Sequence, residues 1–423
     1  MGVRRARSRI ATPTILRVQP PSGDDYGPTY GAQWVRDGAG PDVVSDPGGG
    51  SIPFNNTNNI HTLIDSNPVG STFVGAGSQT YTRTVTLSDR GRNPTIIFLP
   101  GAVLNGPGNA AGNIDAASFT NGTIRGGKWQ NFTSGIVLNA TAILEDAEIT
   151  SIYNVGFGFL GSNSRATRVW SHHNGKYGLN GAGTITNVTA EYLRVNDNNT
   201  RKLDTGDDAG SSKFNAIDGM ALRYCWFDHN YGNGPWWDTN VRNLMCEENV
   251  MENHYADTTT EVQSGLFYED CEGGTVIQRN LLLDNGSTNG SLGLGNVQIS
   301  SANGSKGGAN DDVLITRNII DCANGAIVQI GIHNGHVEDP CWGVHVVQNQ
   351  IWLRGEGTIK CGGSDPNNNL VGRDNYFATN EYHLGSLNDI QRWHWNGTQG
   401  TNPKTWSQWQ ALDFDTDGTR VVI

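Results

Sequence analysis

The sequence lacks the long apolar runs that membrane-spanning helices require. No stretch approaches the roughly 20 consecutive apolar residues that cross a bilayer. The N-terminus also lacks the apolar core of a secretory signal, because the run Ile10-Ala11-Thr12-Pro13 is broken almost at once. We therefore expect either that a signal has been removed from the chain or that the protein leaves its cell by another route, such as lysis.

Charged residues are scarce, and cations cluster only in one short N-terminal segment. Charged side chains make up 17% of the chain, and the formal net charge is -12. Nucleic-acid binding needs clustered Lys and Arg to neutralise phosphates, so this balance argues against a nucleic-acid partner. The short basic segment Arg4 to Arg7 is isolated, and we interpret it as a solvated tail.

Cysteine is also sparse, and its spacing disfavours a zinc site. The six cysteines show no CxxC spacing and no paired histidines. We expect single thiols buried in the core. A disulfide joining Cys322 to Cys341, or Cys341 to Cys361, is the alternative, and the redox compartment stays open.

Glycine and asparagine, in contrast, are abundant. Glycine accounts for 56 of 423 residues, and both residue types supply the left-handed and tight-turn positions that a repeat architecture needs at its corners. A chain of this length exceeds one ordinary globular core, so we expect several domains or a repeat. Recurring β-branched and aromatic runs disfavour disorder.

One phrase occurs twice in the middle of the chain. GPWWD (Gly234–Asp238) and GLFYE (Gly265–Glu269) both read Gly, apolar, aromatic, aromatic, carboxylate, and they lie 31 residues apart. The segment NLMCEENVMEN between them is matched one period later by TVIQRNLLLDN. A repeating strand-like core with length changes in one connection predicts a coil of a β-solenoid.

The same period extends over most of the chain. Strands that follow a glycine align as Gly135–Asn139, Gly156–Leu160, Gly178–Ala182, Gly210–Phe214, Gly234–Asp238, Gly265–Glu269, Gly295–Ile299 and Gly325–Gln329. A second aligned strand carries Asn249, Asn280, Asn318 and Asn349. Asparagines at one inward corner are expected to stack into an amide ladder that satisfies buried polar groups along the axis.

The two ends of the chain differ from the repeat. Residues 1–54 form a Pro/Gly-rich arm, which we expect to be an extended adaptor. Residues 55–375 would form the solenoid, opened by a short amphipathic helix with Ile60, Leu63 and Ile64 that covers its first coil. Residues 376–423, which hold four tryptophans, would form a C-terminal cap.

Segments at three places in the chain resemble a known superfamily. IHTLIDSNPVGSTF at the entrance, GNGPWWDTN, GLFYEDC and VIQRNLLLDN in the coils, and TWSQWQAL at the close are similar to right-handed parallel β-helix proteins of the pectate-lyase-like superfamily. The resemblance covers about residues 55–415. It implies an all-β solenoid of about ten coils, on a scaffold that hosts lyases, hydrolases, epimerases, tailspikes and non-enzymes alike.

The repeated phrase also assigns candidate site residues, since side chains alternate between the faces of a strand. If Trp237 points inward, Trp236 and Asp238 point outward, and Phe267 and Glu269 stack beside them one rung later. We predict an aromatic platform for sugar rings and a carboxylate pair that could supply an acid and a base or nucleophile. Solvated surface acids are the alternative.

Long insertions lie on both sides of this strand. Asn196 to Ala209, His254 to Ser264 and Gly286 to Leu294 precede it and would form one wall of a groove, whereas Asn303 to Asp312 and Gly331 to Trp342 follow it and would form the other. In the first wall, Asp204, Asp207 and Asp208 could hold Ca²⁺ or form a plain acidic loop. Their LDTGDDAG segment resembles the Asp-Asp segment of polygalacturonase-type hydrolases, without the partner motifs. No other cofactor is suggested.

Further candidates follow from the chemistry of β-elimination. A lyase needs a base for the C5 proton and a cation for the uronate carboxylate. We consider His229 or His254 for the base and Lys213 or Arg201 for the cation, with substrate binding as an alternative role for Lys213, Arg201 and His254. A groove rich in acids disfavours a polyanion, so a hydrolase is favoured over a lyase.

These features lead to two functional hypotheses. One is a polysaccharide-binding and polysaccharide-degrading protein, in which Asp238, Glu269 and His229 are the catalytic candidates and Trp236 and Phe267 hold substrate. The other is a non-catalytic virion or cell-surface protein that binds or displays glycan. An arm ahead of a β-helix is the layout of phage tailspikes, which would imply a virion or extracellular location, attachment through the arm and a homotrimer.

Overall fold

Three parallel ladders of short strands wind around one continuous apolar interior. The computed structural model describes residues 35–112, 114–206, 209–257, 263–285, 295–301, 311–321, 328–334, 341–353, 359–365, 367, 370, 372–385, 391–398 and 403–422. Each coil runs from the third ladder through a short turn to the first, then through a tighter turn to the second, and returns by a connection of variable length. The all-β parallel β-helix predicted from the sequence is therefore confirmed.

The first two ladders merge into one 24-stranded sheet, because two long strands, Thr95–Asn105 and Thr123–Gln130, bend through both. The first ladder otherwise contains Ile52–Phe54, Thr72–Gly75, Ile143–Glu145, Arg165–Thr167, Ile185–Glu191, Ile217–Arg223, Arg242–Glu247, Thr275–Gln278, Asp311–Thr316, Trp342–Val347 and Tyr376–Ala378. The second contains Thr80–Thr82, Glu148–Thr150, Trp170–His172, Arg194–Asn196, Trp226–Asp228, Val250–Glu252, Leu281–Leu283, Ile319–Asp321, Gln350–Leu353, Glu381–Leu384 and Thr419–Val422.

The third ladder is a separate 13-stranded sheet. It contains Leu87–Ser88, Asp115–Phe119, Ser134–Leu138, Val155–Phe159, Tyr177–Gly181, Gly210–Asn215, Asn233–Asp238, Leu266–Glu269, Val297–Ser301, Ile330–Asn334, Cys361–Ser364 and Trp393–Trp395, and ends with the antiparallel strand Pro403–Lys404. Alternate side chains of each strand enter the core, where Phe214 and Trp237 stack at 5.9 Å between ring centroids. Burying a large apolar side chain contributes roughly 1.5–3 kcal/mol, so this continuous core stabilises the fold.

An asparagine ladder follows the corner between the first and second ladders. The side-chain oxygen of each asparagine accepts the backbone N–H of the preceding rung, as Asn280 does for Asn249 at 3.0 Å and Asn318 does for Asn280 at 2.9 Å. The same contacts continue through Asn349 and Asn380. The amide ladder predicted for this corner is confirmed, and it satisfies polar groups that the tight turn would otherwise leave buried without partners.

A second asparagine ladder follows the corner between the second and third ladders of strands. It runs through Asn174, Asn198 and Asn230, then through His254 and Asn285. His254 Nδ1 accepts the backbone N–H of Asn230 at 3.4 Å, and the backbone N–H of His254 donates to the side-chain oxygen of Asn285 at 3.1 Å. A histidine therefore occupies one rung of an asparagine column.

Both ends of the solenoid are covered. A helix, Ile60–Ser66, is capped by Asn59 and buries Ile60 and Ile64. At the other end the helix Trp406–Gln410 begins with a capping box formed by Thr405 and Gln408. The first of these helices matches the covering helix predicted from the sequence.

Asp415 terminates the first asparagine ladder. Its carboxylate accepts the backbone N–H and the side-chain amide of Asn380, and also hydrogen bonds from the Tyr382 hydroxyl at 2.7 Å and the Trp409 indole at 3.0 Å.

All three strand ladders continue past residue 375, since Tyr376–Ala378, Glu381–Leu384 and Trp393–Trp395 still pair with the coils before them. The predicted boundary near 375 thus falls inside the solenoid.

The arm residues that the structure describes pack against their own solenoid. Val35 lies in a small apolar cluster with Val250 and Leu281 on the outer side of the second ladder. Further along, the Gly40 N–H donates to the Tyr192 carbonyl at 2.9 Å, and Val44 packs on the outer side of the first ladder. These contacts follow the axis for several coils, so this part of the arm belongs to the folded body.

The cysteines match the prediction of single buried thiols. Cys225, Cys246, Cys271, Cys341 and Cys361 are buried, and Cys361 is a free thiol, which rules out the Cys341 to Cys361 disulfide. Cys322 lies outside the described residues, so its pairing with Cys341 stays a prediction. Within the described residues, no helix is long and apolar enough to cross a membrane.

Candidate functional site

The outer side of the third ladder brings the predicted aromatic and acidic pairs together. In the two adjacent strands, Trp236 pairs with Phe267 and Asp238 pairs with Glu269. The Trp236 and Phe267 rings stack with centroids 5.2 Å apart and planes 15° from parallel. Their neighbours Trp237 and Tyr268 point into the core, so the alternation of faces predicted from the repeated phrase is observed.

Lys213 adds a cation from the rung before. It pairs with Trp236 in the ladder, and its ammonium lies 3.4 Å from the centre of the Trp236 ring. The same ammonium forms an ion pair of 3.0 Å with the Asp238 carboxylate. Lys213 is therefore at the predicted site, where its charge is already balanced by Asp238.

Glu269 has an unusual electrostatic environment. Desolvation by burial, together with the nearby charges of Asp238 and Asp270, raises the pKa of Glu269 to about 8, and the charge of Lys213 opposes this only in part. The Glu269 side chain is thus mainly protonated at neutral pH, while Asp238 is held beside the Lys213 cation. One carboxyl can donate a proton next to another that is ion-paired.

The aromatic pair does not present a surface for sugar stacking, which corrects the predicted platform. Trp236 has Lys213 over its ring and Phe267 stacked against it, and the exposed fractions of Trp236 and Phe267 are only 1% and 3%. Rings stacked between successive rungs face each other along the axis, so no ring face is left for a pyranose. Trp236 and Phe267 instead form an apolar patch beside the carboxyl pair.

The two candidate histidines lie away from the carboxyl pair. His229 precedes the strand Asn233–Asp238 and Asp238 ends it, so the length of this strand separates them. The partner of His229 is Asp228, whose carboxylate lies 2.6 Å from its Nδ1. His254 is 3% exposed within the second asparagine ladder, which corrects its predicted role in substrate binding: burial lowers its pKa to about 3 and makes it a structural group.

The remaining candidates lie in the first wall. Arg201 donates to Asn154 at 3.2 Å and stacks over the Tyr153 ring at 4.0 Å, so it serves the neighbouring coil. Asp204 accepts the Gly206 N–H at 2.8 Å, and Asp207 and Asp208 lie outside the described residues. Among the residues that the structure describes, no group of three or more His, Cys, Asp or Glu side chains could hold a metal ion, so the calcium site finds no support there.

In the chain, the insertions adjoin third-ladder strands, and only parts of them belong to the described residues. Those of the first wall join second-ladder strands to third-ladder strands, and Lys202 links two of them through a 2.6 Å ion pair with Asp257. Those of the second wall follow third-ladder strands, although Gly331 lies inside the strand Ile330–Asn334. Segments 258–262, 286–294, 302–310 and 335–340 lie outside the described residues.

The glycine-based alignment misses two further polar residues. Glu269 pairs with Ser300, and Ser300 pairs with His333, which lies 2.9 Å from the Ser364 hydroxyl. Aligning Gly265 with Gly295 shifts the register by one residue, and the strand after Gly325 begins only at Ile330. The inward alternation of Val297, Ile299, Ile330 and Ile332 is the sequence signal that would have found the observed register.

Comparison of the sequence with known families gives no match. No family model matches the chain, and no curated protein matches it. The structure, in contrast, is similar to solved parallel β-helix proteins.

Three of these structures illustrate the similarity. The Dettilon tailspike protein is 12% identical over 80% of this chain, with a TM-score of 0.44, and the chain covers 63% of the tailspike, less than two thirds of its length. The A-module of a mannuronan C-5 epimerase from Azotobacter vinelandii is 12% identical, with 83% of this chain and 90% of that one covered and a TM-score of 0.45. A family 28 exopolygalacturonase from Yersinia enterocolitica is 11% identical, with 92% and 77% covered and a TM-score of 0.41. At these identities the likeness concerns the fold alone.

Proposed function

We propose that this protein binds and hydrolyses a polysaccharide on the outer side of its third ladder. The observation that supports the proposal is the in-register pair of Asp238 and Glu269, of which Glu269 is mainly protonated at neutral pH. Glycoside hydrolysis uses such a pair, one carboxylic acid to protonate the leaving oxygen and one carboxylate to act as base or nucleophile.

In this proposal Glu269 is the general acid. A pKa of about 8 keeps its proton available at neutral pH, and activity should fall as the pH rises through that value. Asp238 is the base or nucleophile, and the 3.0 Å ion pair with Lys213 orients it. The apolar patch formed by the Trp236 and Phe267 rings helps to keep water from Glu269.

The spacing of the strands favours one stereochemical outcome. Adjacent parallel strands lie about 4.8 Å apart, and paired side chains on neighbouring rungs start from that separation. Carboxyl groups about 5–5.5 Å apart accompany retention of configuration, whereas inversion needs about 6.5–9.5 Å. We therefore expect retention, with Asp238 as the nucleophile.

The test is a panel of capsular and pectin-like polysaccharides incubated with purified protein. Release of reducing ends without absorbance from unsaturated uronate identifies hydrolysis, and NMR of the first anomer formed gives the stereochemistry. Asp238→Asn and Glu269→Gln should each lower the rate by more than about 100-fold while glycan binding is retained. Full activity in both variants would refute the assignment, and unsaturated products would identify a lyase instead.

A non-catalytic glycan-binding protein is the second candidate. It is favoured by the ion pair that already occupies Asp238 and by the burial of the two aromatic rings. As a tailspike-type virion protein it would carry this face to a host glycan, and mass measurement in solution would test for a trimer. Binding without any cleavage by the unmodified protein, across the whole panel, would select this candidate.

A further inference from the structure

A second cluster of titratable side chains lies on the outer side of the second ladder, apart from the carboxyl pair. Glu148, Trp170 and His172 come from two adjacent strands, and His173 follows at the corner. The Nδ1 atoms of His172 and His173 are 2.7 Å apart and the ring centroids 5.0 Å apart, so the two imidazole nitrogens face each other. The hydroxyl of Thr150 lies 3.4 Å from the same His172 nitrogen.

The tautomer of His172 is fixed by its other nitrogen. His172 Nε2 lies 3.2 Å from a Glu148 oxygen, and the same oxygen accepts from Lys128 at 2.7 Å. Because this oxygen is already paired with the Lys128 ammonium, the carboxylate acts as an acceptor and His172 Nε2 carries the proton. The lone pair of neutral His172 is therefore on Nδ1, directed at His173 and Thr150.

The ring of His172 is also held in position. It stacks on Trp170 with centroids 4.1 Å apart, and the Trp170 indole N–H is itself bound to Asn196 at 2.7 Å. His172 is 8% exposed, whereas His173 is exposed to solvent. His172 Nδ1 is thus held in position at the surface of the solenoid. His173 Nδ1 belongs to an exposed side chain, which an ion and water can reach.

We propose that His172 and His173 bind a borderline divalent transition metal such as Zn²⁺ or Ni²⁺ through their Nδ1 atoms. The Thr150 hydroxyl and water complete the coordination, and Glu148 is a positioning residue. A histidine ligand that donates its other N–H to a carboxylate is the usual arrangement around bound zinc, because the carboxylate orients the ring and raises its basicity. This site uses two histidines rather than a group of three protein ligands, and it is independent of the proposed hydrolase.

The geometry requires a small movement of one side chain. Zinc–nitrogen bonds of about 2.0–2.1 Å in a tetrahedral site place two ligand nitrogens roughly 3.4 Å apart. In the observed 2.7 Å contact, His173 Nδ1 carries the proton that His172 Nδ1 accepts. To bind the metal, His173 takes its Nε2–H tautomer by proton exchange with water, and its ring turns and moves outward by about 0.7 Å. Its exposed position at the end of the strand allows this shift without disturbing the core.

The test is calorimetric titration of the full, metal-stripped chain with ZnCl₂ or NiCl₂ alone. We expect one equivalent to bind saturably, His173→Ala to abolish this binding, and Glu148→Gln to weaken it about 10- to 100-fold. The matched control is His229→Ala, which removes another exposed histidine with a neighbouring carboxylate and should bind like the unmodified chain. Zinc should also raise the unfolding temperature of the unmodified chain and not that of His173→Ala.

Two results would overturn the site. Equal metal binding by the unmodified chain and His173→Ala would place the ion elsewhere, and no saturable binding by the unmodified chain would mean that the two nitrogens only share a proton. Unfolding of His173→Ala in metal-free buffer at the same temperature as the unmodified chain shows that lost binding does not reflect misfolding.

Discussion

At the scale of single residues, Glu269 shows how a repeat creates chemistry. The alternation that sends Tyr268 into the core sends Glu269 outward, and the in-register pairing places it beside Asp238. Burial and the neighbouring negative charges then favour its protonated form. An acid in an ordinary strand is mainly protonated at neutral pH because of the rungs on either side.

Glu269 should make stability depend on pH. Its pKa is about 8 in the folded protein and 4.5 as a reference, so the folded state binds this proton more tightly. The resulting stabilisation is complete below about pH 4.5 and is lost as the pH rises through about 8. In urea unfolding at several pH values, Glu269→Gln should remove this loss, which we expect to be on the order of 1–4 kcal/mol.

The control for this experiment is Glu272→Gln. Glu272 lies three residues after Glu269 in the chain, and its more exposed carboxylate is paired with Arg242. It should keep the pH dependence of the unmodified protein. An unchanged pH profile in Glu269→Gln would show that Glu269 titrates normally and would remove the basis for its role as an acid.

At the scale of elements, the two asparagine ladders hold the corners of the solenoid. Asn318 accepts the N–H and the side-chain amide of Asn280, and its own amide donates to the Ile277 carbonyl and to Asn349. A single side chain therefore satisfies groups in several rungs. Loss of one such residue leaves several buried groups without partners at once.

Asn318→Ala should consequently lower the free energy of unfolding by about 3 kcal/mol or more, since each unsatisfied buried group costs roughly 1–3 kcal/mol. Chemical denaturation measures the change. Asn139→Ala is the control, because Asn139 is part-buried and makes one side-chain bond, to Ser118. Similar losses in the two variants would contradict a special role for the ladder.

His254 offers a complementary prediction. Burial lowers its pKa to about 3 from a reference of 6.5, so the unfolded chain binds its proton more tightly and stability falls as the pH drops through this window. His254→Asn restores the residue type of the neighbouring rungs and should be nearly as stable at neutral pH and more stable near pH 5. Unfolding measured at both pH values tests this, and greater acid sensitivity of the variant would contradict it.

At the scale of the whole molecule, the arm is joined to coils far from it in sequence. The Arg36 guanidinium forms a bidentate pair with the Glu252 carboxylate, which also accepts the Trp226 indole N–H at 2.8 Å. This pair is largely buried, with side-chain exposures of 20% and 9%, so breaking it should cost more than breaking a surface pair.

Arg36→Ala should therefore release the arm without unfolding the solenoid. We expect hydrogen exchange at the Gly40 amide, which is bound to the Tyr192 carbonyl, to rise at least tenfold, while amides of the third ladder are unchanged. Arg90→Ala, which breaks an exposed pair with Asp65, is the control and should leave Gly40 protected. Unaltered exchange in Arg36→Ala would show that apolar contacts alone hold the arm.

The sequence by itself determined the solenoid, the covering helix, the first asparagine ladder and the pairing of Asp238 with Glu269. These features depend on local alternation and on a repeat whose turns recur at one corner, and both can be observed along the chain. The alignment of GPWWD with GLFYE made from the sequence is the pairing observed in the ladder, where Trp236 pairs with Phe267 and Asp238 with Glu269.

Only the tertiary structure decided what covers each face and which rungs meet. Insertions change the chain length between strands without changing the ladder, so glycine spacing could not give the register at Ser300 and His333. The closing of the Trp236 ring between Lys213 and Phe267, the place of His254 in a ladder and the return of the arm to Glu252 are contacts between distant segments. Such contacts depend on the packing of successive coils, which no local pattern specifies.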